Sequence, residues 1–502
     1  MDEEHGFLLF KVALSIFFCF LSWRFYITTQ EKRHKKNGTS VFNGPKSYPI
    51  LGSALAVMAN SHRFSQWVTD LIKLSPTQTI VLKSLGGNLV LTANPDNVEY
   101  ILKTNFPNYP KGHFTTNLME DFLGQGIFNS DGDLWKIQRK VASHEFNTRS
   151  LRKFIHQVVR QELCTRLIPL LDKAAIEGKV LDLQDVLQRF AFDNISKISF
   201  GMDPCCLDPG FLPDSEFMVA FEKATQLAAE RFRSFLPWSW RIRRFFGAGY
   251  EKELRASIEK VKSFAEEVIR KKMEKSEGSG TSEVDDLLSR FMDTGMDKEF
   301  IVDIVINFIL AGRDTTSAAL TWFFWLLERH PQVEEAIIQE IGSSNEIGMD
   351  EVKQLNYLHA ALCESMRLYP PVPNDSKEAA TEDVLPDGTK VSKGTRVSYN
   401  PYAMGRMEGI WGKDFEEFRP ERWLDKESGL FVPVDSFKYP VFQAGPRVCL
   451  GKEMAFLQMK GIVCMVLKRF KIRMANSSAD PVFITNLTAK MEGGFPVRIE
   501  KI

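Results

Sequence analysis

The sequence lacks an excess of charge of either sign: its 502 residues carry 64 lysine and arginine side chains against 64 aspartate and glutamate side chains. This balance excludes the strong basic surplus that is typical of nucleic-acid-binding proteins, so no nucleic-acid partner is expected. Cysteine is also scarce, at 7 residues, and no pair of Cys-x-x-Cys clusters occurs. The cysteines therefore indicate neither a disulfide framework nor a zinc site, and they suit a reducing compartment.

One long hydrophobic run is present, at residues 6–27. A helix over this run would be about 33 Å long, which is enough to cross a bilayer. A cleaved signal peptide would begin with basic residues, whereas acidic residues occupy positions 2–4 and four basic residues follow within positions 32–36. We therefore expect residues 1–28 to form an uncleaved, single-pass transmembrane anchor with the rest of the chain facing the cytosol.

The remaining chain is predicted to form one folded body after a short connection. Residues 29–52 read as a basic linker and a proline-rich hinge, and residues 53–502 read as a catalytic domain. Helical periodicity dominates positions 130–275, whereas short strands are predicted within 78–92 and 384–399. Residues 483–489 and 494–500 look like a final β-hairpin. The fold class expected is therefore mainly α with a small β portion.

The most informative stretch surrounds Cys449, in the ten-residue run from Phe442 to Gly451. A lone cysteine is usually a small buried hydrophobe. Here glycines allow tight turns on both sides, Arg447 precedes the cysteine, and a long apolar helix pattern follows. A thiolate near the N-terminus of a helix is stabilised by backbone N–H groups and by the helix dipole. Such a thiolate can push electron density onto haem iron and favour cleavage of O–O bonds.

Five positions of this run match the pattern Phe-x-x-Gly-x-Arg-x-Cys-x-Gly without a gap. The run resembles the haem-binding signature of the cytochrome P450 monooxygenases, and the resemblance extends over essentially the whole chain. It implies the cytochrome P450 fold and a haem b (iron protoporphyrin IX) cofactor. Cys449 would be the axial iron ligand, and Phe442 and Arg447 would contact the cofactor.

The second motif interrupts an apolar helix predicted from Phe300 to Arg329, at positions 311–316. Gly312 weakens the helix, and the Thr315 hydroxyl is placed to compete for the carbonyl of Ala311 and bend it. The motif resembles the oxygen-binding motif of the same family, in which the acid and the threonine, here Asp314 and Thr315, help relay protons. The alternative is a threonine that only bends the helix and an aspartate paired with a neighbouring arginine.

Two further sets are structural by resemblance. Glu364 and Arg367 share one helix face and match the Glu-x-x-Arg pair of the family, which joins a later arginine, here Arg422, in a buried network. The alternative is an ordinary surface ion pair of little energetic value. Trp135, Arg139, Arg447 and Lys377 match the positions that meet haem propionates, since guanidinium suits carboxylates. For Lys377 a solvated lysine is the alternative.

The substrate pocket is also predicted by resemblance. Its walls should come from the loop after Pro110, the distal helix, the turn after Pro371 and the tip near Leu487. All of the residues involved are apolar, as a hydrocarbon ligand requires, although any of them could be plain core. They are Phe114, Leu118, Phe122, Leu123, Phe308, Ile309, Ala311, Val372, Pro373 and Leu487.

The strings at 311–322, 402–406 and 442–455 resemble a plant branch of long-chain fatty-acid ω-hydroxylases. This implies hydroxylation of a long-chain fatty acid at or near the terminal carbon. The same branch includes hydroxylases of jasmonoyl-isoleucine, which is the alternative. Asn374 puts a polar group in the predicted pocket turn and leaves the polarity of the substrate open.

The resemblance also implies partners and a location. Electrons should come from NADPH through a membrane-bound NADPH–cytochrome P450 reductase, with O₂ as co-substrate, at the endoplasmic reticulum membrane. Lys136, Lys140 and Lys452 are candidates for the reductase-facing surface, or are plain solvated charges. A fatty-acid hydroperoxide isomerase or lyase is a further class, but such relatives usually lack the Asp-Thr-Thr run. A non-catalytic haem or lipid carrier is the last class, but the Asp-Thr-Thr run would have no use in such a protein.

Overall fold

The computed structural model describes residues 44–48, 51–84, 87–146, 149–208, 212, 215–234, 239–278, 286–342, 349–476 and 480–502. The predicted anchor, residues 1–28, and most of the basic linker lie outside these ranges. Within them, no helix combines the length and the apolar character that a membrane span requires.

Helices make up most of the described chain, and short strands make up a smaller part. In chain order the helices are α1 Ala54–Ala59, α2 Phe64–Lys73, α3 Pro95–Glu99, α4 Gly112–Leu123, α5 Gly132–Phe146, α6 Arg149–Glu162, α7 Ile168–Glu177, α8 Leu183–Phe200, α9 Glu216–Arg233, α10 Ser239–Phe245, α11 Tyr250–Gly278, α12 Leu287–Met292, α13 Lys298–Ile309, α14 Thr315–Arg329, α15 Pro331–Ile341, α16 Met349–Gln354, α17 Asn356–Leu368, α18 Pro401–Met404, α19 Glu408–Trp411 and α20 Lys452–Leu467. The prediction of a mainly helical fold with a small β portion is confirmed.

The strands form two small sheets and two isolated pairs. They are β1 Thr79–Ser84, β2 Gly87–Thr92, β3 Leu181–Asp182, β4 Asp375–Glu378, β5 Asp383–Val384, β6 Lys390–Val391, β7 Arg396–Tyr399, β8 Phe470–Met474, β9 Phe483–Thr485, β10 Ala489–Met491 and β11 Pro496–Lys501. The larger sheet has the order β1-β2-β7-β4, in which β2 and β7 are parallel and the other pairs are antiparallel. The predicted hairpin within 78–92 is the β1–β2 pair.

The predicted final hairpin is wrong in its pairing. β9 pairs with β10 across three residues, and β11 instead pairs with β8 and β3. Each strand alone satisfies the sequence pattern, so the pattern cannot identify its neighbour. β11 satisfies its backbone groups with β8, which begins just after α20 ends and therefore lies within reach.

The predicted apolar helix from Phe300 to Arg329 is present as α13 and α14, joined by a π-helical turn at Leu310–Asp314. Asp297 caps its start by accepting a hydrogen bond from the N–H of Phe300 over 2.7 Å. Nearly all apolar side chains of both helices are buried in the larger of two hydrophobic clusters. The smaller cluster lies around the four-stranded sheet. Residues from both clusters line the main cavity, so the site is formed where the helical body meets the sheet.

Candidate active site

Cys449 lies in a tight loop that ends where α20 begins. Gly445, in this loop, has φ +62°, and a β-carbon there would lie 2.1 Å from the carbonyl oxygen of Leu102. The position therefore requires glycine, because any other L-residue would be strained and would clash with the backbone. The N–H of Cys449 donates a hydrogen bond to the carbonyl of Phe442 over 2.8 Å. The loop is thus closed by its own backbone around the cysteine.

The sulfur of Cys449 opens into a cavity of about 1180 Å³. The side chain has accessible surface, yet that surface faces the cavity and is enclosed by protein. Burial raises the pKa of the Cys449 thiol. The backbone N–H of Gly451 and the positive charges of Arg139 and Lys452 lower that pKa and so favour the thiolate. The loop therefore supplies stabilising groups for a negative sulfur, although burial opposes them.

Two arginines flank Trp135 at the same end of the cavity. The guanidinium carbon of Arg447 lies 4.4 Å from the centroid of the Trp135 ring, and that of Arg139 lies 5.9 Å from it. Arg447 donates hydrogen bonds to the carbonyl of Ser130 over 3.0 Å and to the carboxylate of Asp131 over 2.6 Å. Its Nε is buried and has no partner among the described residues. An unpaired donor at a cavity wall indicates a site for an acidic group of a ligand.

Lys377 is not a solvated lysine, because its side chain is buried and contacts Asp375. The Asp375 carboxylate accepts hydrogen bonds from Lys377 over 3.0 Å and from Lys111 over 2.8 Å. Tyr399 and Gln443 donate to it over 2.9 and 3.0 Å. The two lysines hold the pKa of Asp375 well below its ordinary value, whereas burial lowers the pKa of Lys377 to about 7. This polar cluster joins β4 and β7 to the Cys449 loop.

The predicted opening of the distal helix coincides with its π-helical turn. The Thr315 hydroxyl donates a hydrogen bond to the carbonyl of Ala311 over 2.6 Å. A β-carbon at Gly312 would lie 2.5 Å from the side chain of Ile195, so only glycine allows α8 to approach this turn. Ala311, Gly312 and Thr315 all line the cavity. The helix therefore presents a hydroxyl and a loosened backbone to the same space as the sulfur.

Asp314 does not line the cavity. Its carboxylate accepts a hydrogen bond from Arg313, as the structural alternative expects. Arg313 in turn lies 3.6 Å from the carboxylate of Glu222. The second carboxylate oxygen of Asp314 is buried and has no partner among the described residues. Its position next to Thr315 in the chain keeps a proton-relay role as a prediction, and of the two only Thr315 lines the cavity.

Most residues predicted for the substrate pocket line the cavity. They are Phe114, Leu123, Phe308, Ala311, Val372, Pro373 and Leu487. Leu118, Phe122 and Ile309 do not, and their side chains are buried in the core. The reason for the first two is that α4 packs against α9. The carbonyl of Leu118 accepts a hydrogen bond from Arg231, and the ring of Phe122 packs edge-on against Phe221 at 5.6 Å.

Glu364, Arg367 and Arg422 form one buried network. Arg367 donates to the Glu364 carboxylate over 2.7 Å, and Arg422 donates to it over 3.1 Å. The indole N–H of Trp423 adds a third hydrogen bond over 2.9 Å. The side chains of Glu364 and Arg367 are fully buried, so the pair is not an ordinary surface ion pair. The network ties α17 to the segment that follows α19.

Lys111, Asp375 and Arg396 line the cavity, but no motif in the sequence marks them as site residues. Lys111 and Asp375 are 264 positions apart in the chain. Their contact exists only because the loop before α4 lies against β4. The alternation of Asp375 and Lys377 in a short strand pattern is the one signal that places two charges on the same face.

The chain matches the family model for cytochrome P450 over residues 42–494. It belongs to the cytochrome P450 family. Among curated cytochromes P450, the chain is 53% identical to cytochrome P450 94A1 of Vicia sativa over 465 residues, which cover 91% of this chain and 90% of that protein. Cytochrome P450 94A2 of Vicia sativa is 50% identical over 503 residues, with 98% of each chain covered. Cytochrome P450 94B1 of Arabidopsis thaliana is 50% identical over 475 residues, with 93% of each covered.

Cytochromes P450 bind haem, and the residues of this cavity fit that group. The unpaired Nε of Arg447 fits a propionate, with Trp135 and Arg139 beside it. Cys449 would supply the axial ligand, since its sulfur opens into the same space. Phe442 lines the cavity next to the sulfur, and its ring lies 5.2 Å from that of Phe456.

In this cytochrome P450 the haem and the side chains of the cavity would have separate roles. A thiolate-ligated haem, when bound, would supply the chemistry that inserts one oxygen atom of O₂ into a C–H bond. Thr315 places its hydroxyl at the cavity wall, where its proton is donated to the carbonyl of Ala311, and a relay of protons through this hydroxyl stays a prediction. Apolar side chains around it, including Phe308 and Leu487, exclude water and favour a hydrocarbon. Position in the cavity, rather than a reactive side chain, would then select the carbon that reacts.

We expect Thr315→Ala to leave haem binding intact and to lower the product formed per NADPH by at least about tenfold, because a general acid contributes about 10²–10⁴-fold. Hydrogen peroxide should rise in compensation. Both are measured with reductase present, by product analysis and a peroxide assay. Thr321→Ala is the matched control, since Thr321 makes the same type of hydrogen bond, to the carbonyl of Ser317 over 2.8 Å, but does not line the cavity. An unchanged yield per NADPH in Thr315→Ala would contradict the role.

Proposed function

We propose that this cytochrome P450 hydroxylates a long-chain fatty acid at or near its terminal carbon, with O₂ and with electrons from NADPH. The observation that carries the proposal is the cavity of about 1180 Å³ into which Cys449 opens. The cavity lining includes the residues expected to hold haem, so haem would fill part of this volume. The rest of the lining includes apolar side chains such as Phe308, Val372 and Leu487, as a hydrocarbon chain requires. The resemblance of the strings at 311–322, 402–406 and 442–455 to plant fatty-acid ω-hydroxylases supports the same substrate class.

Terminal hydroxylation places a demand on the pocket. A methyl C–H bond is harder to break than a neighbouring methylene C–H bond, so the chain end must be held over the reactive centre while inner carbons are kept away. Phe308, Ala311 and Leu487 contribute apolar surface from two separate segments of the wall. Walls from separate segments can confine a chain laterally, which is an orientation effect.

Jasmonoyl-isoleucine is a second candidate substrate, and one observation favours it. Asn374, Ser376 and Ser398 add polar groups to the cavity wall near β4 and β7. The hydroxyl of Ser398 donates a hydrogen bond to the side-chain oxygen of Asn374 over 2.6 Å. Polar groups at this wall suit a ligand that carries an amide or an oxygenated ring in addition to its hydrocarbon part.

We further propose that residues 1–28 anchor the protein in the endoplasmic reticulum membrane, where NADPH–cytochrome P450 reductase reduces it. The apolar run at 6–27 and the basic residues that follow it support this placement. Lys136, Lys140 and Lys452 are candidates for a reductase-facing surface. The charge of Lys452 acts on the Cys449 thiol, and Lys136 follows Trp135 of the cavity wall. Attraction between charged surfaces raises the association rate at low salt, so reduction should slow as ionic strength rises.

The proposal predicts NADPH-dependent formation of a terminal alcohol from a saturated fatty acid. The test is product analysis with purified protein, reductase and a panel of fatty acids of different chain length, together with jasmonoyl-isoleucine. Omission of NADPH should abolish the product, because the reaction needs two external electrons. Turnover of jasmonoyl-isoleucine alone would favour the second candidate. Conversion of a fatty-acid hydroperoxide without NADPH or O₂ would instead indicate an isomerase or lyase and contradict the proposal.

A further inference from the structure

The β4–β7 pair has two faces with different surroundings. Asp375 pairs with Tyr399 in the antiparallel register, so their side chains share one face. That face meets the Cys449 loop, because the Tyr399 hydroxyl and the Asp375 carboxylate both hydrogen bond to Gln443. Side chains at odd-numbered separations lie on the opposite face of a strand. Arg396, three positions before Tyr399, is therefore on the other face, where Ser376 approaches Thr115 of α4 with 3.4 Å between their hydroxyl oxygens.

On that face Arg396 lines the cavity and stacks on an aromatic ring. Its guanidinium carbon lies 3.8 Å from the centroid of the Phe114 ring. Phe114 also lines the cavity and belongs to the predicted substrate pocket. The guanidinium thus lies over the Phe114 ring at cation–π distance, and its N–H groups remain available for hydrogen bonds.

The guanidinium of Arg396 has no hydrogen bond or ion pair with any residue that the structure describes, although the backbone of Arg396 pairs with β2 and β4. Its cross-strand neighbour is Glu378, which attracts it electrostatically but does not reach ion-pair distance. The Glu378 carboxylate instead accepts a hydrogen bond from the N–H of Phe114 over 3.0 Å, near the start of α4. Glu378 is therefore occupied in holding α4 against the sheet.

The other lysines and arginines that line the cavity differ from Arg396, because each has a polar partner. These residues are Lys83, Lys111, Arg139, Arg233, Lys377 and Arg447. Burial lowers the pKa of Arg396 to about 10, so the guanidinium still carries its charge at neutral pH. A half-buried charged group that lacks a hydrogen-bond acceptor is stabilised by an anion of matching shape.

We propose that Arg396 binds the carboxylate of the substrate, with two N–H groups of the guanidinium donating to the two carboxylate oxygens. The inference rests on the proposed function and adds the residue that fixes the substrate's polar end. Arg396 is three residue steps along the strand from Tyr399, which contacts the Cys449 loop, a distance of about 10 Å. The carboxylate is thereby held at the α4 side of the cavity, and the hydrocarbon chain is left to extend toward the sulfur.

The test compares carboxylic acids with their methyl esters in the full-length haem-loaded protein. Affinities for dodecanoic acid, for jasmonoyl-isoleucine and for both methyl esters are measured by calorimetry, which requires no turnover. Arg396→Met should weaken binding of the acids by at least about tenfold, because hydrogen bonds to a charged group are lost, and should change ester binding less than about twofold. Arg396→Lys keeps the charge but not the two-pronged geometry, so an intermediate loss is expected.

Arg498→Met is the charge-matched control, since Arg498 is exposed on β11 and does not line the cavity. The two acids distinguish a plain fatty acid from its amino-acid conjugate as the ligand. Equal binding of acid by Arg396→Met and the wild-type protein overturns the inference alone. Binding of neither acid by the wild-type protein overturns the proposed function as well. Should Arg396→Met not fold, equal binding of acid and ester by the wild-type protein overturns the inference without any variant.

Discussion

Cys449→Ser is expected to abolish oxidation of hydrocarbons, with a loss of at least about a thousandfold, equivalent to about 4 kcal/mol of activation free energy. The reason is that the substitution exchanges the sulfur ligand for oxygen. A thiolate donates electron density to haem iron far more strongly than a serine hydroxyl does. The backbone would be little altered, because the N–H of Cys449 already donates to the carbonyl of Phe442 and serine preserves that bond.

The measurement combines turnover with reductase and NADPH and the carbon monoxide spectrum of the reduced protein, which reports thiolate ligation. Cys164→Ser is the matched control: the same atom is exchanged at an exposed cysteine that does not line the cavity. The control should keep both the spectrum and the activity. Hydrocarbon oxidation by Cys449→Ser at the wild-type rate would disprove the assignment of Cys449 as the iron ligand.

Glu364→Ala is expected to lower the free energy of unfolding by about 3–5 kcal/mol, enough to prevent accumulation of the haem-loaded protein. The substitution leaves the buried guanidinium of Arg367 without its carboxylate and removes the acceptor for Trp423. A buried charge that loses its counter-charge is far more costly than the pair itself was stabilising. Glu364→Gln keeps the shape and one acceptor oxygen, so a smaller loss is expected.

The yield of haem-loaded protein and the midpoint of thermal unfolding check this result. Glu416→Ala removes the same carboxylate from an exposed ion pair with Lys73, whose side-chain atoms are 3.4 Å apart. Exposed pairs contribute about 0–1 kcal/mol, so this control should unfold at nearly the wild-type temperature. A normal yield and midpoint for Glu364→Ala would show that the network is not required for folding.

The distal helix shows which structural features the local sequence can predict. The apolar run, Gly312 and the hydroxyl of Thr315 predict a buried helix that opens near Ala311, and the π-helical turn lies at that place. Each of these effects acts within one helical turn, so the sequence alone contains the information. The role of Asp314 is different, because its surroundings depend on how the π-helical turn packs against α8 and on Glu222 of α9, whose carboxylate lies 3.6 Å from Arg313.

Leu118 and Phe122 show why the sequence alone could not identify every residue of the substrate pocket. Apolar character is shared by core and pocket residues, so it does not distinguish them. Only the packing of α4 against α9 assigns these two side chains to the core, and Phe114 to the cavity. The misassigned final hairpin has the same cause, since β11 finds its partner in β8 rather than in the strand before it.

By itself the sequence determined the family, the cysteine that faces the cavity, the helix that opens beside it and the mainly helical fold, because those signals are local patterns of residue type and spacing. The tertiary structure alone decided that Lys111 and Lys377 share the carboxylate of Asp375 and that Arg396 is left without a partner at the cavity wall. The contacts of Lys111 with Asp375 and of Arg396 with Phe114 join segments hundreds of residues apart, and their energies depend on burial and on the distances between charges, which no local pattern encodes.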